Sequence, residues 1–244
     1  MDAYNLAQAA DFRHERATKG QLSAGAFAGI EILVLTTLGV ATTYMLYGSF
    51  DWLHVMLSLF LSLNLLICFW EICLFLRRDY IEKRRDFWAE RRTQTKVPVA
   101  IEYMSTGITL KNMFSPTFWA DMWSTYALYD GSYADRRTYG FNADVGNGFT
   151  TLIPSIILHV GITVQFLPAR VLGIVGVMMF WQWLYCTCVY WASFFVAGRH
   201  TLISKKEMKV YIWGTNGPWA FFSLFGLYAS IRLVLDDNYS VLGM

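Results

Sequence analysis

Long apolar segments separated by polar connections dominate this chain. A helix needs about 20 mostly apolar residues to cross a bilayer. Three of the connections are short, and the fourth, at 77–147, is long and polar. The pattern predicts an all-α, polytopic membrane protein formed by one membrane domain over residues 1–244. Its five transmembrane helices are predicted at about 24–47, 52–76, 148–167, 171–197 and 210–235.

The composition narrows the class of protein. Hydrophobic residues make up 55% of the chain and charged residues 16%, against about 45–50% and about 25% in a soluble domain. These values exclude a soluble enzyme, a nucleic-acid-binding protein and a disordered tail protein. They favour an integral, multi-pass protein of a bacterial inner membrane or of the endoplasmic reticulum.

The distribution of positive charge predicts the orientation of the chain. With the N-terminus inside, all but two of the 20 Lys and Arg residues lie in inner segments, the exceptions being Arg170 and Arg232. Inner loops of membrane proteins are enriched in Lys and Arg. We therefore expect the N-terminus inside, the C-terminus outside and segment 77–147 on the inner side.

The long inner loop has helical features of its own. Residues 79–92 read as a helical continuation of the second span, and Ser115-Pro116 is a typical helix start. The residues after it form an aromatic stripe at helical spacing, which predicts an interfacial helix on the inner membrane surface. The alternative is that this face packs against the helix bundle. The stripe comprises Trp119, Met122, Trp123, Tyr126 and Tyr129.

Polar side chains within apolar spans are costly, and each is a functional candidate. Four of them lie near span ends and can reach water or headgroups: Glu31, His54, Gln165 and Arg232. The others lie deeper, and several spans place polar or aromatic groups at a similar depth in the inner leaflet. Such a set predicts a cavity for a largely apolar ligand with one polar group, or else hydrogen bonds that join helices. The candidates for this site are Glu71, Asn64, Asn216, Trp219, Gln182, Tyr185, Tyr190 and Thr151.

Several catalytic classes lack their residues in this chain. Four His residues are too few for a membrane di-iron oxidase, and no HExxH, Walker or GxGxxG motif occurs. The four Cys residues all lie in apolar segments, so we expect free thiols. No cofactor and no metal site is predicted.

The order of several motifs resembles the emopamil-binding (EXPERA) superfamily over residues 52–235. Glu71 lies in the second span, and Asn216-Gly-Pro-Trp219 in the last span is similar to the family's Asn and Trp three residues apart. Between them come Trp123-Ser-Thr-Tyr126, Asp130-Gly-Ser-Tyr133 and the aromatic Gln182-Trp-Leu-Tyr185. The catalytic members have a His four residues before the Glu, where this chain has Ile67.

The resemblance implies a protein that binds a sterol, isoprenoid or similar lipid, with sterol-type isomerisation as the activity of the catalytic members. In that reaction Glu71 would shuttle a proton and Asn216 would orient it or the substrate. Trp219 and Tyr185 would stabilise a developing carbocation, and Asn64, Gln182, Tyr190 and Thr151 would line the substrate cavity. The alternative is a non-catalytic structural or accessory subunit of a larger membrane complex. The partners expected are a membrane lipid or sterol-like ligand, and membrane proteins or a second copy of this chain.

Overall fold

A computed structural model describes residues 16–18 and 20–244. Arg13 and Lys19, which contribute to the topology argument, lie outside the described residues. The first two spans form helices with the predicted bounds, α1 at Ala24–Tyr47 and α2 at Trp52–Leu76. Gly48, with φ at 65°, ends α1 in the left-handed conformation that favours glycine. The Asp51 carboxylate then accepts a hydrogen bond from the Leu53 N–H (2.8 Å) and so begins α2.

The long loop is mostly helical. After a break at Arg77, α3 continues over Arg78–Gln94, so the predicted helical continuation of the second span is present. The Ser115 hydroxyl accepts a hydrogen bond from the Phe118 N–H (3.3 Å) and caps the start of the helix at Pro116–Tyr126, as predicted from Ser115-Pro116. The helices after α3 are α4 (Val99–Met104), α5 (Leu110–Met113) and α6 (Pro116–Tyr126), followed by a 3-10 turn at Gly131–Ala134.

The third span differs from its prediction. Instead of one helix at 148–167, the chain forms α7 at Tyr139–Thr150 and α8 at Leu152–Val164, bent by 52°. Pro154 explains the position of the break, because it has no N–H to donate and its ring collides with the carbonyl four residues earlier, that of Thr150.

The last two spans pack side by side. The fourth span is α9 at Ala169–Val196, close to the predicted 171–197. The fifth begins earlier than the predicted 210–235: α10 at Lys205–Glu207 leads through a π-helical segment at Met208–Gly214 into α11 at Thr215–Asp236. The described part of the chain thus contains four helices long and apolar enough to cross a membrane, or five if α7 and α8 form one bent span.

The chain divides into two compact units. The first unit comprises the described residues 16–18, 20–29 and 70–145, and the second comprises 30–69 and 146–244. The division does not test the prediction of a single membrane domain, and the orientation of the chain also stays a prediction.

The aromatic stripe of α6 is buried inside the first unit. The Trp119 ring stacks on Trp70 with centroids 5.4 Å apart, and the Trp123 indole donates to the Trp70 carbonyl at 2.7 Å. Tyr126 and Tyr129 are buried too. The structure therefore favours the alternative in which this face packs against protein, and it gives no support to an interfacial helix.

One buried carboxylate organises the polar core of the first unit. Asp121 on α6 accepts hydrogen bonds from Tyr80 (3.0 Å), Arg84 (3.1 Å) and Trp88 (2.9 Å). The three donors are spaced four residues apart on α3 and so lie on one face of it. Because Asp121 has three donors, including a cation, its charge is compensated inside the protein.

Close backbone approach joins α9 to α11 in the second unit. A Cβ atom added at Gly173 would lie 2.7 Å from the Ser230 carbonyl oxygen, and one added at Gly226 would collide with the Phe180 ring. Small residues at such contacts are typical of helix pairs in membranes, because they let the backbones approach closely. The two contacts also fix the register, in which Phe180 lies beside Gly226.

Candidate functional site

A buried hydrogen-bond network joins α2 to α8 in the second unit. The Asn64 amide nitrogen donates to the Ser155 hydroxyl at 2.9 Å and lies 3.4 Å from the Cys68 sulfur. The Cys68 sulfur in turn lies 3.3 Å from the Thr151 hydroxyl. All four residues are buried. Asn64 and Cys68 are four residues apart on α2, as are Thr151 and Ser155 at the α7–α8 bend, so each pair shares a helix face.

The network extends to the last two spans. The Trp219 indole N–H on α11 donates to the Asn64 side-chain oxygen at 3.1 Å. Near its other end, the Thr151 hydroxyl donates to the backbone carbonyl of Asn147, and the Asn147 side-chain oxygen accepts from Gln182 on α9 at 3.0 Å. Trp219, Gln182 and Asn147 are only half-buried. The network therefore runs from a buried centre at Asn64 to a more accessible rim.

Aromatic rings border this network. Phe60, one turn before Asn64 on α2, contacts the rings of Trp183 (5.3 Å between centroids), Trp219 (6.0 Å) and Phe222 (5.4 Å). Trp183 and Phe60 are buried. The rings form an apolar wall that would suit the hydrocarbon part of a lipid.

Three polar atoms along α9 and α11 have no hydrogen-bond partner within the described part of the chain. They are the indole nitrogens of Trp183 and Trp191 and the hydroxyl of Ser223, and all are buried. Phe180 on α9 lies beside Gly226 on α11, and the two helices run antiparallel. Trp183 follows Phe180 by about one turn and Ser223 precedes Gly226 by about one turn, so Trp183 and Ser223 lie at about the same level. A buried indole N–H normally finds a partner, so these atoms mark a place where a polar group could be bound.

The start of α11 is irregular next to these atoms. The π-helical segment Met208–Gly214 is followed by Pro218, which cannot donate to the Gly214 carbonyl. The Asn216 amide donates to the Ile212 carbonyl at 2.9 Å, and the Trp213 ring lies 4.6 Å from that of Trp191. π-Helical turns within helices are frequent at functional sites.

The structure brings together only part of the predicted site. Asn64, Thr151 and Trp219 lie in one network, and Gln182 joins it through Asn147. Tyr190 is buried against Phe194, with ring centroids 6.4 Å apart.

The remaining candidates lie elsewhere. Tyr185 is 55% exposed and stacks on the exposed Trp181. Asn216 bonds to its own helix backbone. Glu71 is buried in the first unit. Its proposed proton transfer stays a prediction.

The sequence argument missed Ser155, Trp183 and Ser223. Ser155 could have been found, since it follows Thr151 by four residues and faces the same way. Trp183 stood only inside the aromatic motif Gln182-Trp-Leu-Tyr185, and Ser223 gave no signal, because a small hydroxyl is common in apolar helices. Their interest comes from the lack of a partner among the described residues.

The candidate site offers uncharged hydrogen-bonding groups. No set of three His, Cys, Asp or Glu side chains in the described ranges lies close enough to hold a metal ion. All four cysteines are free thiols.

Comparison with protein-family models, curated proteins and solved structures gives no match to this chain. The resemblance to the emopamil-binding superfamily therefore rests on the sequence motifs alone and stays a prediction.

Proposed function

We propose that this protein binds a membrane lipid of sterol or isoprenoid type in the second unit, between α2, α9 and α11. The observation that carries the proposal is the set of partnerless polar atoms on α9 and α11. An indole N–H can only donate a hydrogen bond. The lipid must therefore carry an acceptor oxygen, such as a hydroxyl or a ketone, next to a rigid or branched apolar body.

The aromatic wall supports this choice of ligand. The rings around Phe60 supply apolar area, and the unpartnered Trp183 N–H belongs to the same group of rings. An oxygen bound there would satisfy a buried donor, whereas a wholly apolar ligand would leave it unpaired at a cost of about 1–3 kcal/mol.

The experiment is lipid mass spectrometry on the full chain, purified gently in native-like lipid. Trp183→Phe removes the N–H and keeps a ring of similar character, so we expect it to lose most of the retained lipid. Trp181→Phe is the matched control, because Trp181 lies on the same helix and is 57% exposed. Equal retention in both variants would contradict the proposal.

Isomerisation through Glu71 is a separate hypothesis, which rests on the resemblance of the sequence motifs and not on the lipid site of the second unit. Glu71→Gln should then abolish turnover of a Δ-unsaturated sterol or isoprenoid while the protein stays folded, because it removes the only carboxylate within α2. Unchanged turnover would exclude Glu71 as the proton carrier and leave lipid binding untouched.

A non-catalytic subunit of a membrane complex is the second candidate. The Asn64 network favours it, since Asn64 pairs with both Ser155 and Trp219 inside the protein, as groups that only join helices do. The same purification separates the candidates: stoichiometric protein partners without a specific lipid would support the subunit.

A further inference from the structure

A second polar cluster lies where α1, α2 and α8 meet, and it contains two histidines. His54 on α2 is 2% exposed and His159 on α8 is 9% exposed. The sequence placed His54 within reach of water or headgroups, and this expectation is wrong because α1 and α8 cover it. The His54 nitrogen Nε2 lies 3.1 Å from the Thr43 hydroxyl on α1, and the His159 Nε2 lies 3.0 Å from the Ser62 hydroxyl on α2.

Each of these hydroxyls has a second acceptor within reach. The Thr43 oxygen lies 3.3 Å from the Thr163 carbonyl, and the Ser62 oxygen lies 2.7 Å from the Ser58 carbonyl. A hydroxyl has one proton to donate. It can give that proton to a neutral imidazole nitrogen, or it can turn it to the carbonyl and accept an N–H from a protonated ring.

Both protonation states of His54 are therefore satisfied without moving a heavy atom. When the ring is neutral, Thr43 donates to Nε2. When a proton adds to the Nε2 lone pair, the new N–H donates to the Thr43 oxygen and the Thr43 proton turns to the Thr163 carbonyl. The His54 ring also hydrogen bonds to the backbone of Ile162. The same exchange is open to His159 through Ser62 and the Ser58 carbonyl.

Ser58 supplies a third observation. Its hydroxyl is fully buried and has no partner in the described ranges. It lies on the same face of α2 as His54 and Ser62, four residues from each. A Cβ atom added at Gly39 would lie 3.0 Å from the His159 ring, 3.4 Å from the Thr163 hydroxyl and 3.5 Å from the Ser58 hydroxyl, so these groups surround one point of α1.

We propose that His54 and His159 form a buried proton-binding site that holds one proton, with Thr43 and Ser62 as its hydroxyl partners and the unpaired Ser58 hydroxyl beside it. One proton is the expected limit, because two imidazolium ions in a low-dielectric interior repel each other strongly. This site is separate from the lipid site proposed on α9 and α11.

Other titratable groups act on the site to different degrees. The Asp51 carboxylate accepts a hydrogen bond from the backbone N–H of His54 at 3.2 Å, and it is the acidic group whose charge acts on the His54 ring. On α1 the titratable groups are Glu31, Tyr44 and Tyr47, with Glu31 about 18 Å along the helix from Thr43. The titratable groups of α2 besides His54 are Cys68, Glu71 and Cys73. His159 is the one titratable side chain of α8.

The test is nitrogen NMR of the full chain with labelled histidine in lipid nanodiscs, titrated from about pH 8 to about pH 3, because burial disfavours a charged imidazole. His54→Gln and His159→Gln assign the two buried signals. We expect one ring of the pair to become an imidazolium over this range, not both. Two neutral rings throughout, or two rings that protonate independently, would overturn the proposal.

A pair of matched variants isolates the hydroxyl partner. Thr43→Val keeps the shape but removes the acceptor of the protonated ring, so proton affinity should fall about tenfold or more, because hydrogen bonds to ions are strong. Thr36→Val is the control: Thr36 lies on the same helix and bonds only to the Ile32 carbonyl at 2.7 Å. Should Thr43→Val fail to fold, Ser58→Ala replaces it, with a shifted titration as the supporting result. A titration that neither Thr43→Val nor Ser58→Ala moves would refute the role of the hydroxyls.

Discussion

The two units bury different kinds of polar group at their centres. The first unit buries a charge, the Asp121 carboxylate, and surrounds it with Tyr80, Arg84 and Trp88. The second unit joins its helices through neutral groups, such as the amide of Asn64, the hydroxyl of Ser155 and the indole of Trp219. Both units leave some buried polar atoms without a partner among the described residues, Trp70 Nε1 and Ser132 Oγ in the first, Ser58 Oγ and Trp183 Nε1 in the second.

This contrast bears on where in the protein a ligand can bind. A buried ion is tolerated only when its partners are complete, so the Asp121 centre is a structural element with little capacity for a ligand. A neutral polar atom left unpaired costs about 1–3 kcal/mol, which a protein can tolerate at a few places. Unpaired neutral atoms are therefore better candidates for a site than the completed Asp121 centre, and two of them, on Trp183 and Ser223, lie at about the same level of α9 and α11 in the second unit.

The largest effect should follow from removing the buried charge. Asp121→Asn leaves Arg84 without its counter-ion, and the loss should be about 3–5 kcal/mol of unfolding free energy. This loss is measured by unfolding the full chain with increasing amounts of a denaturing detergent. Arg137→Gln is the control, since Arg137 is 87% exposed in its pair with Asp135 and such pairs contribute about 0–1 kcal/mol. Equal losses in the two variants would erase the contrast between a charged and an uncharged core.

Close helix packing in the second unit should show the next largest effect. The backbone at Ser230 cannot move aside for a methyl group, so Gly173→Ala should cost about 1–3 kcal/mol. Gly217→Ala is the control on the partner helix, because nothing lies within 4 Å of a Cβ atom added there. It should be neutral or stabilising. A neutral Gly173→Ala would show that α9 and α11 are not held by backbone contact.

The neutral network should be weaker than the charged centre. Asn64→Leu has nearly the same volume and removes the bonds to Ser155 and Trp219, each worth about 0.6–1.7 kcal/mol in membrane proteins. We expect a total loss of about 1–2 kcal/mol in the same unfolding assay. Trp219→Phe removes one of these bonds and should cost less than half as much. A loss from Asn64→Leu as large as that from Asp121→Asn would contradict the comparison.

The smallest effect concerns alkaline pH and the first unit. Burial raises the pKa of Tyr80 and Tyr103 well above the ordinary value of about 10. The folded state therefore holds these protons more tightly than the unfolded state. The stabilisation is complete below about pH 10 and is lost as the pH rises further.

Tyrosinate absorbance tests this statement. Tyr103 should lose its proton only as the protein unfolds. The difference in tyrosinate absorbance between wild type and Tyr103→Phe should therefore appear at the pH at which the circular dichroism of the helices is lost. Ionisation of Tyr103 near pH 10 in the folded protein would contradict it.

Much of the helical layout could be predicted from hydropathy. The bounds of α1 and α2 agree with the predicted spans, because a long apolar segment must satisfy its backbone internally and a helix does so. The bend at Thr151 was not predicted, although Pro154 stands in the sequence. A proline within an apolar segment can kink, end or begin a helix, and the neighbouring helices decide which.

The structure joins only some of the residues selected from the sequence. Asn64, Thr151 and Trp219 share one hydrogen-bond network. Tyr185 has the same character as Tyr190, yet Tyr185 is exposed and Tyr190 is buried. Five residues along a helix turn the side chain to another side, and the sequence alone does not say which side has a neighbour.

From the sequence alone, hydropathy predicts helices long and apolar enough to cross a membrane and the bounds of the first two of them, because these properties follow from local hydropathy and backbone hydrogen bonding. The tertiary structure alone decided that α6 is buried, that Asp121 receives three donors from α3, and that His54 is shielded by α1 and α8. These outcomes depend on which helices pack together. Hydropathy specifies that a face must be covered, but it carries no information on the partner that covers it.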